Sequence, residues 1–308
     1  MNHLKLAIIG LGKIARDQHI PALAASDDFE LVAAASPQGH LDGTPSFPSI
    51  AELLESCPEV EAVSLCTPPQ VRYETARYAL ERGRHVLLEK PPGVTVGEIQ
   101  ELAEVALTQG VALFASWHSR HAPAVEPARA WLASRRIHNV TITWKEDVRI
   151  WHPGQRWIWQ PGGLGVFDPG INALSILTHL IPGTFRLCAA DLSYPTNCDT
   201  PIAAQLLLAG PQGFPIRADL DFLHEGPPCW DIAVETNSGH LHLSRGGNHA
   251  QVDRTPLPTQ AHTEYASLYA HFAELVRARR LDVDISPLQL VADAFLSGRR
   301  LSVAAFAE

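Results

Sequence analysis

Gly10-Leu11-Gly12-Lys13-Ile14-Ala15, set directly behind the apolar run Leu6-Ala7-Ile8-Ile9, decides how this chain folds. The pattern is G-x-G-x-x-A at a strand-to-helix turn, and each small residue in it has a separate task. Gly10 permits the tight turn, Gly12 lets the backbone come close to a ligand, and Ala15 lets the helix pack against the strand. A helix that opens on such a turn offers its free amides and its dipole to an anion, here the pyrophosphate of a dinucleotide. The six residues alone would also fit a plain strand, turn and helix. Their surroundings settle the matter.

Downstream the alternation repeats. The spacing predicts a helix over 13–25, a strand over 29–35, a strand over 60–66 and a helix over 71–81. A strand at 85–88, a helix at 95–107 capped by Thr95 and a strand at 111–115 follow. Short continuous apolar strands between helices signal a parallel sheet covered on both faces. The strand at 85–88 runs into Glu89-Lys90-Pro91. A charge at the end of a buried strand must face a cleft or pair with something, so Lys90 is a candidate for chemistry at the edge where the dinucleotide lies. At the end of the second strand, Ala35-Ser36-Pro37-Gln38 offers no carboxylate for a ribose 2′-hydroxyl. Ser36 can bond a hydroxyl or a phosphate, and NADP and NAD both stay open as the cofactor.

The pattern changes near residue 120, which sets expected domains of 1–120 and 121–308. A helix over 122–134 leads to an alternating strand at 140–144, an aromatic, irregular stretch over 151–165 and a helix over 168–180. Alternating strands are predicted at 185–192, 202–208, 216–222, 230–235 and 240–244, then helices over 264–278 and 287–301. Strands in series without helices between them point to an antiparallel sheet with one open face, which a second copy of the chain could cover in a homo-oligomer.

Composition narrows the class. The 308 residues are 46% hydrophobic, enough for two domains, and the formal charge of −9 argues against nucleic acid as a partner. No apolar run approaches the ~18 residues of a membrane span, and the N-terminus enters a strand without a signal-peptide pattern. Five scattered cysteines, without a C-x-x-C pair, fit reduced thiols in a cytoplasm, with Cys66 as a small core residue. His118/His121 and His240/His242 lack a nearby third ligand, so no metal site is expected.

With the glycine turn, Cys66-Thr67-Pro68-Pro69, Glu89-Lys90-Pro91 and Asp168-Pro169-Gly170-Ile171-Asn172 in that order, the chain resembles the glucose-fructose oxidoreductase / inositol dehydrogenase / MocA family over essentially its whole length. Within it, the stretches Trp144 to Arg149, Trp151-His152-Pro153-Gly154 and Gly162 to Asn172 look most like the bacterial aldose 1-dehydrogenases for L-arabinose and D-galactose. The resemblance implies an α/β chain: an N-terminal Rossmann doubly wound parallel sheet, then a C-terminal α+β domain with a large open, mostly antiparallel sheet, and an active site between them. It implies nucleotide contacts from Gly10, Gly12, Lys13, Ile14, Ser36, Thr67, Pro68, Glu89 and Lys90. It also implies a catalytic set of Lys90, Asp168 and Asn172. Many relatives carry histidine at the last position; asparagine cannot shuttle a proton, so acid–base work falls to Asp168 or Lys90. NADP-preferring arabinose enzymes usually carry Ser-Arg after the second strand, where this chain has Ser36-Pro37.

Oxidising an aldose at C1 takes a hydride from carbon and a proton from O1 and leaves a lactone. Asp168 and Asn172 lie four apart at the start of a helix and share a face. Asp168 is expected to accept the O1 proton while Lys90 holds O1, with the reverse assignment open; taken alone, Asp168 would also fit a helix cap. Sugar recognition needs polar groups and aromatic faces. Glu146, Trp151 and His152 are the first candidates, His118 and Trp230 the next, while two of the four tryptophans at 144, 151, 157 and 159 read as core. The rival readings are another sugar or polyol oxidoreductase of the same family, and a sugar-responsive regulator that binds NAD(P) without turning it over, against which an intact Lys90 speaks.

Overall fold

The computed structural model describes residues 3–37, 39–259 and 263–307; Gln38, expected beside the ribose, lies outside the described residues. The chain divides into two compact units. One takes the residues up to His118 and, much later, Thr263–Ile285; the other takes the remainder.

In the first unit, strand and helix alternate as β1 (Leu4–Ile9), α1 (Ile20–Ala24), β2 (Phe29–Ala35), β3 (Ser46–Phe47), α2 (Ile50–Ser56), β4 (Ala62–Leu65), α3 (Arg72–Glu81), β5 (His85–Glu89), α4 (Val96–Gln109) and β6 (Leu113–Ser116). A π-helical turn at Ala15–His19 leads into α1. These strands lie in the order β3-β2-β1-β4-β5-β6, every pairing parallel, so the order reverses beside β1. Such a reversal opens a crevice at the carboxyl ends of the strands. Leu6, Ala7, Ile8, Leu65, Leu87 and Leu88 are fully buried, as continuous apolar strands covered on both faces require. Thr95 closes a capping box at the start of α4: its Oγ1 accepts from the Glu98 amide at 3.2 Å, and Glu98 Oε2 accepts from the Thr95 amide at 3.2 Å. Helix α2 was not expected. It is two turns long, capped by Ser49, and too short for apolar periodicity to register.

The second unit begins with α5 (Val125–Leu132), β7 (Ile137–Lys145), α6 (Val148–Trp151) and α7 (Phe167–Leu180). It continues through β8 (Arg186–Pro195), β9 (Ala203–Ala209), β10 (Pro215–Asp221), β11 (Cys229–Thr236), β12 (Gly239–Ser244), β13 (His249–Val252) and β14 (Thr255–Pro256). After it come α8 (Glu264–Ala278) and β15 (Leu281–Asp282), then α9 (Ser286–Ser297) and β16 (Arg299–Val303). The nine-stranded sheet runs β14-β13-β12-β11-β7-β10-β9-β8-β16, antiparallel except at β7/β10 and β8/β16. On β7, Val140, Ile142 and Trp144 are buried while Thr141 is exposed, the alternation of a sheet with one covered face. Helix α7 lies on that face, flanked by α5 and α9. Gly170 makes the approach close, because a Cβ there would stand 2.7 Å from the Leu220 side chain.

Two expectations change. The helix expected over 287–301 stops at Ser297; Gly298 follows, and Arg299–Val303 extends the sheet beside β8, with Arg299 Nε 2.8 Å from Asp191 Oδ1. Residues 263–285, expected with the second domain, pack in the first unit: β15 pairs parallel with β6, and Leu268, Tyr269, Phe272, Ala273 and Val276 of α8 share a core with Leu6, Phe29, Leu87 and Phe114. Among the described residues no helix is long and apolar enough to cross a membrane, and the five cysteines are unpaired.

Candidate active site

Parallel register puts the residues that follow β1, β2, β4, β5 and β6 along one edge of the first sheet: Ile9 stands opposite Ala35 and Leu65, Leu65 opposite Leu88, and Glu89 opposite Ser116. Gly10, Ser36, Thr67, Lys90 and Trp117 are therefore neighbours on that edge, with Pro68 and His118 just beyond. At Gly10, φ is +93° and an added Cβ would lie 2.9 Å from the Thr67 amide nitrogen, so any side chain would strain the turn and jam it against the strand alongside. Gly12 is different: nothing lies within 4 Å of where its Cβ would be, and the backbone there is exposed. That bare surface at a helix start fits a dinucleotide pyrophosphate. Lys13 is exposed and pairs with Asp17, Ile14 packs on the apolar cluster around Ile8, and the Ser36 amide donates to Phe47 O at 2.9 Å.

Behind this edge is a fully buried polar group that no sequence pattern announced. The Glu89 carboxylate is 2% exposed; Tyr265 donates to its Oε1 at 2.5 Å and His19 Nε2 lies 3.4 Å from the same oxygen. His19 Nδ1 is 2.7 Å from Tyr269 Oη, which meets Ser64 Oγ at 2.9 Å. Burial alone would push Glu89 up, but the hydrogen bond from His19 and the charges of His118, His19 and Lys90 outweigh it and hold the carboxyl at about 2. Burial likewise opposes the His19 cation, and Cys66, Tyr269 and Glu89 around it raise it well above its ordinary value. Burial, then Glu89, drive the Tyr265 phenol upward. The Glu89 side chain thus points into the protein, while Lys90, the next residue, is half-buried on the edge.

Arg72, 2% exposed at the start of α3, was also missed. Its guanidinium donates to the carbonyls of Thr67, Glu89 and Pro91, tying the loops after β4 and β5 together. Five donors in a rigid fork suit such a threefold tie. His118, expected near sugar, has Nδ1 2.7 Å from Glu264 Oε2 and stacks on Tyr265.

The second unit gathers most of the sugar candidates on its own. Pairing of β7 with β10 continues past the strands, as Glu146 N donates to Asp221 O and Val148 N to Phe222 O, both at 2.9 Å. Asp147 then caps α6 through Arg149 N at 3.0 Å and holds the Arg149 side chain. One turn later His152 N bonds Val148 O at 2.8 Å, which swings the imidazole back over Glu146. Glu146 is buried, with His152 Nε2 2.8 Å from Oε1 and Trp230 Nε1 donating to Oε2 at 2.7 Å. Asp168, 2% exposed, stands with Oδ2 3.6 Å from His152 Nδ1. It is not the helix cap, which is Val166; Asp168 lies inside the first turn of α7, with half-buried Asn172 one turn further on. Trp151 is 41% exposed and meets Trp230 edge to face at 4.8 Å, whereas Trp144 is core. Among the described residues no three metal-ligating side chains are arranged to hold one metal ion.

Residues 4–116 match the model of an oxidoreductase family with an NAD-binding Rossmann fold. Galactose 1-dehydrogenase from Pseudomonas fluorescens is 45% identical over 311 aligned residues that cover 99% of each chain. The crystal structure of D-galactose-1-dehydrogenase from Rhizobium etli superposes with a TM-score of 0.95 at 51% identity, covering 100% of this chain and 99% of that one. A 3-ketoreductase from Actinomadura kijaniata, solved with NADP and TDP-benzene, matches at a TM-score of 0.85 over 98% of this chain and 100% of its own, and at 20% identity shares the fold alone. With its parallel sheet, glycine turn and full-length relatives, the chain belongs to the GFO/IDH/MocA family of NAD-binding oxidoreductases.

Proposed function

We propose that this oxidoreductase is an aldose 1-dehydrogenase, which oxidises the anomeric carbon of a galactose-like or arabinose-like pyranose to the lactone. The observation that carries the reading is the end-to-end likeness, at 45% and 51% identity, to two galactose dehydrogenases. The second unit's side chains suit such a substrate: an exposed indole for the ring face, and a half-buried amide and an aspartate for hydroxyls.

The bound nicotinamide nucleotide, NAD or NADP, supplies the hydride acceptor. Gly10, Gly12 and the start of the first helix hold its pyrophosphate, with Ser36, Thr67 and Pro68 along the same edge. Asp168 takes the proton from O1 as the hydride leaves C1, Lys90 donates to O1, and Asn172 orients the neighbouring hydroxyl. Removal of the carboxylate in Asp168→Asn lowers kcat by about 100-fold or more, the usual range for a lost general base, with the sugar KM far less affected. Lys90→Met lowers kcat/KM by a similar factor. Initial rates over a panel of aldoses, each with NAD and then NADP, measure both; variants that keep near-full turnover would overturn the assignment.

Five unpaired cysteines suit a reducing compartment such as the cytoplasm. A second copy on the open face of the nine-stranded sheet completes the proposal, and a monomer mass by light scattering at working concentration would remove that part.

A further inference from the structure

A buried carboxylate that accepts a proton on every turnover must also lose it on every turnover. Asp168, 2% exposed, is poorly placed to give that proton to bulk water, while the His152 side chain beside it is 15% exposed. His152 lies between two buried carboxylates, with Nε2 2.8 Å from Glu146 Oε1 and Nδ1 3.6 Å from Asp168 Oδ2. A carboxylate only accepts, so the short contact requires hydrogen on Nε2, and in the neutral ring the Nδ1 lone pair then faces Asp168. The longer distance is one small side-chain adjustment from a hydrogen bond, as acid–base pairs commonly stand before substrate binds. Glu146 is held in turn by Trp230, whose Nε1 donates to Oε2 at 2.7 Å.

We infer that His152 is the proton relay of this enzyme, taking the O1 proton from Asp168 and passing it to solvent, with Glu146 as the positioning residue that fixes its tautomer. The inference rests on the reading of Asp168 as proton acceptor. In each turnover the C1–H electron pair leaves as hydride to the oxidised nicotinamide, the O1–H bond breaks and C1=O1 forms. The proton moves to Asp168 and then to Nδ1. The imidazolium, stabilised by the Glu146 carboxylate, gives one proton to water and returns to the neutral ring. The sum is aldose plus oxidised nucleotide giving lactone, reduced nucleotide and one proton. The groups that meet the ring are Glu146 just past β7, Asp168 on α7 and the Phe222 ring at 5.4 Å just past β10. His224 reaches Glu146 through its backbone amide at 3.3 Å.

The test compares full-length wild type, His152→Ala, His152→Asn and Glu146→Gln with D-galactose and NAD or NADP, at pH 6 to 9, with and without added imidazole. The relay predicts a kcat loss of about 100-fold in His152→Ala with sugar KM changed by no more than about threefold, and partial rescue of kcat that rises with imidazole concentration. Glu146→Gln, whose amide can donate to Nε2 and push the hydrogen to Nδ1, loses kcat without rescue. Thermal midpoints and nucleotide binding followed by tryptophan fluorescence stay near wild type, and His152→Asn supplies the same comparison if the alanine variant is unstable. A raised KM with kcat within twofold of wild type would make His152 a sugar contact and overturn the relay. So would a kcat loss that imidazole leaves untouched in both His152 variants. Wild type without turnover on any aldose would end the dehydrogenase reading itself, and the relay with it.

Discussion

Arg16 shows how one side chain can supply what the adjoining loop lacks. It leaves the π-helical turn before α1, donates from Nε to Leu11 O and from Nη2 to His40 O, both at 3.2 Å, and its Nη2 lies 3.7 Å from where a Gly39 Cβ would stand. The Ser36 hydroxyl is 3.6 Å from that same point. A cation and a hydroxyl therefore flank the loop after β2, where Pro37 brings no charge and no carboxylate repels a phosphate. Arg16→Ala is expected to raise KM for NADP about tenfold and to leave KM for NAD within about twofold, the loss of one charge-assisted contact of ~1.4 kcal/mol. Equal changes for both nucleotides in steady-state rates would contradict this. The sequence motif draws attention to Gly10, Gly12 and Ser36 because the roles expected of them are local. Arg16, Arg72 and His19 acquire theirs only from loops and strands far along the chain, so no spacing pointed to them.

At the scale of elements, α8 matters most to the first sheet. Its stripe of Leu268, Tyr269, Phe272 and Ala273 is legible as helical periodicity, but periodicity does not say which sheet the helix covers. The same limit explains why residues 263–285 are expected with the second domain but pack in the first unit. The two tyrosines of α8 complete the buried group around Glu89 and His19, and its charge gives a pH dependence. Glu89, depressed from 4.5 to about 2, contributes stability that is present above its unfolded value and is lost as pH falls toward 2. His19, raised from 6.5, contributes stability that is present below 6.5 and is lost as pH rises through the raised value. Breaking a buried pair of this kind costs about 3–5 kcal/mol. Glu89→Gln should lower the urea midpoint at pH 6 and flatten its fall between pH 5 and 3. A variant whose midpoint tracks wild type across that range would show that the carboxylate is not the group responsible.

For the whole molecule, the two-unit architecture was readable because strand type changes with the connections: continuous apolar strands joined by helices before residue 120, alternating strands in series after it. The proposed sugar side rests on residue types legible in the sequence: Glu146, Trp151, His152 and Asp168. Their arrangement was not readable, since the histidine bridging two carboxylates depends on a single turn of α6 and on the first turn of α7. Fully burying a large apolar side chain contributes about 1.5–3 kcal/mol, and α8 buries several against β1, β2, β5 and β6. A chain stopped just before Thr263 should therefore lack protease-resistant fragments from the first sheet and bind nucleotide more weakly than full-length protein. Limited proteolysis that recovers a stable fragment of about the first 118 residues from the shortened chain would refute this.

Because the last piece of the nucleotide-binding sheet is encoded more than 140 residues after the rest of it, the ribosome must translate β7 to β14 before that sheet can close. The opening third of the protein must then wait with an unfinished apolar flank, the period in which chaperones meet nascent chains. Assembly of the cofactor site is thereby postponed until the strands β7 to β14 of the second sheet have already been synthesised.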